Sequence, residues 1–240
     1  MDDELNTINA HMTQIPATII NLLNLPIPST IPSQIKEISN QKVKRIVLVL
    51  LDNFGLFEIV VHKPEFIINN LESIILLDTK QPYTVPVLQQ IIHGDLKNNN
   101  FNLMKYINDQ NRSAMIIGKE KDFNNVSETS EVFDSSGDMT TWIQGSKILN
   151  TKDLVWLNFQ DFETLYQRSV MFKKAPPENL IQRLIHRTDK WLLGMFKRTR
   201  ENTLFMILGN HGRKEIPMDL TGKYAQWRKA SLPIAIIFRK

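Results

Sequence analysis

The sequence predicts an α/β fold, a three-layer α/β/α sandwich built around a central, mostly parallel sheet. Six apolar runs of strand length recur along the 240 residues, and they are nearly continuous in hydrophobicity rather than alternating. That is the pattern of strands covered on both faces. Segments of helical periodicity separate them, so successive strands require crossover connections and run parallel. A hydrophobic content of 42% and a charged content of 22% are those of an ordinary soluble globular protein, and the length is enough for one such domain with a sizeable core.

Residues 1–42 read as an N-terminal extension, because Pro16, Pro26, Pro28 and Pro32 interrupt its short apolar segments. Within it, "ATIINLLNL" (17–25) reads as a helix docking on the core and "PIPSTIPSQ" (26–34) as an extended connector. The α/β domain spans 43–240. Its strands are expected at "RIVLVLL" (45–51), "SIILLD" (73–78), "SAMIIG" (113–118), "DLVWLNF" (153–159), "TLFMILG" (203–209) and "LPIAIIF" (232–238). The Asn-rich stretch at 97–102 and the polar stretch at 121–138 read as loops. The longest helix is expected over about 178–200. Leu180, Ile181, Leu184, Ile185, Thr188, Trp191, Leu192, Met195 and Phe196 form its buried stripe, while Arg183, Arg187, Lys190, Lys197 and Arg198 face solvent and His186 lies on the polar side.

Composition removes several classes of function. With no cysteine, disulfides, thiol catalysis and zinc-thiolate sites are excluded, and a reducing cytoplasm is the expected compartment. The N-terminus, MDDELN, is acidic where a secretory signal is basic, and no apolar run reaches the roughly 18 residues that span a bilayer. No GxGxxG, P-loop or GxSxG motif is present. Residues 1–172 carry 14 basic and 20 acidic groups, whereas 173–240 carry 15 basic and 5 acidic. The basic C-terminal third suits a phosphorylated ligand, nucleic acid or an acidic partner, though a solvated helix face is the plainer reading.

Ligands of an open parallel sheet gather at the carboxyl ends of its strands. There the first strand releases Asp52-Asn53-Phe54-Gly55, the fourth Gln160-Asp161 and the fifth Asn210-His211-Gly212. The second leads to Thr84-Val85-Pro86, which reads as a helix N-cap with proline in the first turn. A hydroxyl at that position suits a phosphoryl group, because it stands beside free backbone N–H groups at the positive end of the helix dipole.

The ordered fragments "IVLVLLDNFG", "YTVPVLQQIIHG", "AMIIGKEKDF", "LVWLNFQDFE" and "TDKWLLGMFKRTRENTLFMILGNHG" resemble the alkaline phosphatase superfamily, in particular its type I phosphodiesterase/nucleotide pyrophosphatase branch, over residues 43–238. The resemblance implies two divalent metals, usually zinc, and a threonine or serine nucleophile. It places Asp52, Asp161 and His211 among the metal ligands and Thr84 as the nucleophile. Three positions depart from the pattern. Asn210 stands where an aspartate is expected, and Thr164-Leu165 where a Gly-His pair is. No histidine follows His211, so Tyr224 or Trp227 falls where the last one belongs.

The departures imply one metal site at most, for zinc or manganese, formed by Asp52, Asn210 and His211 with Thr84, while Asp161 is left without its partners. Glu163, His93 and His186 are conceivable substitutes that nothing in the sequence favours. The expected function is therefore a divergent domain with weak or lost phosphoester hydrolysis that binds a phosphorylated small molecule or a protein partner. The alternative is an active one-metal hydrolase or phosphotransferase. A nucleic-acid-binding module ranks below both, for want of a motif.

Overall fold

The computed structural model describes residues 9–79, 81–96, 100–124, 132–171, 176–210 and 232–240. In chain order the elements are β1 (Asn9–His11), α1 (Ile15–Leu22), β2 (Arg45–Leu51), α2 (Leu56–His62), α3 (Glu65–Asn70), β3 (Ser73–Asp78), α4 (Thr84–His93), α5 (Leu103–Asp109), β4 (Ala114–Gly118), α6 (Glu120–Asn124), β5 (Val132–Asp134), α7 (Asp138–Ile148), β6 (Leu154–Phe159), α8 (Asp161–Met171), α9 (Glu178–Arg198), β7 (Thr203–Gly209) and β8 (Leu232–Arg239). The eight strands form one sheet in the order β1-β3-β8-β7-β2-β6-β4-β5. All neighbours are parallel except β8, which runs antiparallel to both β3 and β7.

The central strands β6 and β7 are buried along their whole length, and β2 from Ile46 onward, as their unbroken apolar runs require. In β2, β6 and β7 alternate residues serve two separate cores. Ile46, Leu48, Leu50, Trp156, Met206 and Leu208 pack with α1, α4 and α5 on one face. Val47, Val49, Val155, Leu157, Phe205 and Ile207 pack with Phe162, Ile185, Leu192 and Met195 on the other. Both faces being covered makes this a helix-sheet-helix sandwich.

Sequence and structure differ at several elements. The segment before residue 43 supplies an edge strand to the sheet through β1–β3 pairing, while the docking helix expected there is α1, with Ile15, Ile19, Ile20 and Leu22 fully buried in the first core. The polar stretch at 121–138 holds most of α6 and all of β5, the latter formed by pairing with β4. In α9, Leu180 is exposed while Asp189, on the same helix, is buried. The Asp189 carboxylate accepts hydrogen bonds from the N–H groups of Phe66 (2.8 Å) and Ile67 (3.1 Å). It thus caps from a distance the first turn of α3, whose own preceding residue is Pro64 and has no capping side chain. Burial raises the Asp189 pKa, against the opposing pull of these two N–H donors.

Candidate functional site

The site is built at the carboxyl edge of β2 and β7. These strands pair in register from Arg45↔Thr203 to Leu51↔Gly209, so Asp52 and Asn210 leave the sheet side by side. Both are buried, as is Asn53. The turn after β2 is made by Asn53, with φ 55°, a left-handed conformation that asparagine tolerates better than most residues. Across from them α4 begins at Thr84. This residue is the first of the helix rather than its cap; Tyr83 occupies the cap position, and its side chain makes no capping hydrogen bond.

Asn210 joins these parts. Its Oδ1 accepts the backbone N–H of Asn53 (3.2 Å), while its Nδ2 donates to Asp52 Oδ1 and to Thr84 Oγ1, the latter at 3.0 Å. The backbone donor fixes which way the amide points, since a flipped amide would set its NH2 against the Asn53 N–H. The three expected residues Asp52, Thr84 and Asn210 are therefore brought together in one hydrogen-bonded cluster.

Asp161 is held elsewhere. It begins α8, and its Oδ2 pairs with Arg187 of α9 at 2.9 Å. The same guanidinium reaches Asp138 Oδ2 at 3.1 Å, and Asp138 Oδ1 accepts the N–H groups of Gln160 (2.6 Å) and Asp161 (3.1 Å) at the start of α8. Arg187 also lies 4.3 Å over the Trp191 ring, which stacks on Trp142. The expectation that Arg187 faces solvent is thus corrected. It is partly buried because two carboxylates and an indole face surround it.

The other expected participants have structural roles. Leu165 packs on the second core, as a leucine in that position of α8 should. Glu163 accepts a hydrogen bond from Asn53 Nδ2. His93 is buried, with Nδ1 2.6 Å from the carbonyl oxygen of Phe101, so it serves the α4–α5 connection. His186 lines an open groove on α9 with Arg183 and Lys190. His211, Tyr224 and Trp227 lie outside the described residues.

Solved structures with this architecture share little sequence with it. The C-terminal periplasmic domain of EcEptC from Escherichia coli, in complex with Zn, superposes with a TM-score of 0.59 at 12% identity, over 82% of this chain and 73% of that one. A protein in the alkaline phosphatase superfamily from Vibrio parahaemolyticus gives 0.56 at 11% identity, over 95% and 68%. The lipoteichoic acid synthase LtaP from Listeria monocytogenes gives 0.54 at 10%, over 81% and 65%. The fold is that of the alkaline phosphatase superfamily. No protein-family model and no curated protein matches the chain.

Against that fold the donors among the described residues, which leave out His211, can be tested for a divalent cation, and by themselves they do not fit. Among the described residues no group of three or more His, Asp or Glu side chains is placed to hold one. Within the Asp52–Thr84–Asn210 cluster, the amide turns its N–H groups, not its oxygen, toward the carboxylate and hydroxyl. A cation would need lone pairs in that direction. Asp161 spends its charge on Arg187.

Within the Asp138–Asp161–Arg187 group, Asp138 titrates far above the usual carboxylate range. Burial, then the negative charge of Asp161, raises the Asp138 pKa to about 7, against the N–H of Gln160, the charge of Arg187 and the N–H of Asp161. A raised carboxyl pKa means that the folded state holds the proton more tightly than the unfolded chain. Its contribution is full below the unfolded value near 3.8 and is lost as pH rises through about 7. Stability measured by urea unfolding between those limits should therefore carry a downward slope with pH from this group. Asp138→Asn should remove that slope and leave the curve flatter; an unchanged slope would assign it to other groups.

Proposed function

We propose that this chain is a divergent alkaline-phosphatase-like domain in which phosphoester hydrolysis is weak or lost, and that the carboxyl edge of its sheet binds a phosphorylated small molecule. The observation that supports this most is the direction of the Asn210 amide, which donates to both Asp52 and Thr84. In metal-assisted displacement a dication lowers the pKa of the attacking hydroxyl and neutralises charge on the leaving oxygen. A neutral amide hydrogen bond supplies a small part of that stabilisation. Binding needs less. Thr84 is half-buried in the first turn of α4, where backbone N–H groups lack an intrahelical acceptor and the dipole favours an anion. A protein partner at the same edge is an alternative occupant. The cysteine-free composition supports a cytoplasmic setting, and among the described residues no helix is long and apolar enough to cross a membrane.

A second reading is supported by the persistence of Asp52 beside Thr84. In it, Thr84 is the nucleophile of a phosphoester hydrolase that uses one zinc or manganese ion. Metal content, followed by turnover of p-nitrophenyl phosphate and bis-p-nitrophenyl phosphate with zinc, manganese or magnesium, separates the two. The binding reading expects no bound metal and no turnover above that of Thr84→Ala. Metal-dependent turnover that disappears in Thr84→Ala would overturn it.

A further inference from the structure

Among the described residues, the basic side chains of the C-terminal third do not form one patch. Arg183, Lys190, Lys197 and Arg198 are exposed on α9 as a solvated helix face, the last two in the final turn, where the helix dipole favours cations. Arg200 and Arg239 are placed differently. They meet Lys44 and Arg45, from a distant part of the chain, around an open groove of about 550 Å³ that Thr199 and Glu201 complete. Because Lys44 and Arg45 stand at the amino end of β2, this groove lies at the opposite end of the sheet from Asp52 and Asn210.

The groove is held by backbone structure. Arg45, Thr203 and Arg239 are register partners across β2, β7 and β8, which sets the two arginine Cα positions about 10 Å apart, two strand spacings of roughly 4.8 Å each. The Arg200 N–H donates to Asn150 Oδ1 (2.8 Å), and the Asn202 N–H donates to the Arg239 carbonyl (2.7 Å). Asn202 itself turns the chain in a left-handed conformation, φ 63°. The Lys44 N–H closes on the Asn202 carbonyl at 3.0 Å.

Two features of the side chains point to a ligand. The ion pairs of the described residues involve none of the four cations, so four like charges converge with a single carboxylate, Glu201, among them. Arg239 also stacks over Phe196, 5.4 Å from the ring centroid, and its buried Nε has no hydrogen-bond partner. Converging cations without counter-charges raise the local concentration of anions, and planar guanidinium forks match phosphate oxygens. No exposed aromatic side chain lines the groove for base stacking.

We propose that this groove is a second binding site, distinct from the Asp52–Thr84–Asn210 cluster, for a small ligand carrying at least two phosphate groups. Sodium tripolyphosphate and orthophosphate, titrated calorimetrically into the full chain at low and high salt, test it. Lys44→Glu and Arg200→Glu change exposed side chains, so circular dichroism and melting should match the wild type. Tripolyphosphate should bind more tightly than orthophosphate and more weakly at high salt. Each variant should lose about tenfold or more in affinity, the cost of a charge-assisted hydrogen bond, and Thr84→Ala should keep the component of binding that Lys44→Glu and Arg200→Glu weaken. No tripolyphosphate binding at low salt would overturn the proposal. So would full affinity in Arg200→Glu, or loss in Thr84→Ala of the component that Arg200→Glu weakens. Binding of a single-stranded oligonucleotide that Arg200→Glu abolishes, without tripolyphosphate binding, would assign the groove to nucleic acid instead.

Discussion

Gly209→Ala is expected to be among the most destabilising single substitutions in the protein, costing more than about 3 kcal/mol. A Cβ built on Gly209 falls 1.6 Å from the carbonyl oxygen of Phe54 and 2.8 Å from its carbonyl carbon. Both are backbone atoms, so no rotamer change relieves the overlap. Either the end of β7 or the turn after β2 must move. That turn is already constrained, with Asn53 in the left-handed region and its N–H bonded to Asn210 Oδ1. Moving it displaces Asp52 as well, so the cost reaches the candidate site and not only the core. Urea unfolding followed by circular dichroism measures the loss. A variant within about 1 kcal/mol of the wild type, small for an overpacked backbone contact, would show that the turn and strand approach less closely than described.

The reason glycine precedes Asn210 was not legible in the sequence, although its position at a strand tip was. The unbroken apolar runs of β2, β6 and β7 could be read directly, since strands covered on both faces need no alternation. By contrast, β1 and β5 have three residues each. Such segments become strands only because β3 and β4 offer them an edge, and no local pattern announces that. The orientation of β8 likewise depends on pairing across Thr203↔Arg239, not on its own apolar composition.

The candidate site divides in the same way. Asp52, Thr84 and Asn210 follow strands or start a helix, so strand-end reasoning finds them. Asp138 and Arg187 do not. Arg187 sits on the polar side of an amphipathic helix, and only the tertiary placement of α7 and α8 supplies its carboxylates. Its spacing one turn before Trp191 was a signal available in the sequence, because a guanidinium and an indole at that separation on a helix can stack. Asp161 stands just beyond the end of β6, where its sequence context puts it. Its partner is Arg187, which strand-end reasoning alone does not reveal.

Asn210→Asp should convert the cluster from a hydrogen-bonded clamp into a pair of facing carboxylates. In the wild type the amide gives one N–H to Asp52 and one to Thr84, and both residues 52 and 210 are buried. An ionised aspartate at 210 keeps the acceptor for the Asn53 N–H but has no proton to donate. Thr84 loses its donor, and two buried negative charges meet. Like charges at this separation cannot both ionise cheaply, so one of the pair should hold its proton to higher pH. Without metal, the variant should lose about 3 to 5 kcal/mol at neutral pH, the range for an uncompensated buried charge. The loss should shrink on acidification, since a carboxyl with a raised folded pKa is most stabilising when protonated. Manganese or zinc should then recover stability in a concentration-dependent way, because a cation binds the folded pair and not the unfolded chain. The same metals should leave the wild-type melting temperature unchanged. Thermal melts of both proteins across metal concentrations and pH test this directly. If Asn210→Asp melts like the wild type at neutral pH without metal, the amide is not what neutralises Asp52. If instead the wild type is stabilised by manganese as strongly as the variant, its own donors hold a cation despite the direction of the amide, and the one-metal hydrolase becomes the better reading.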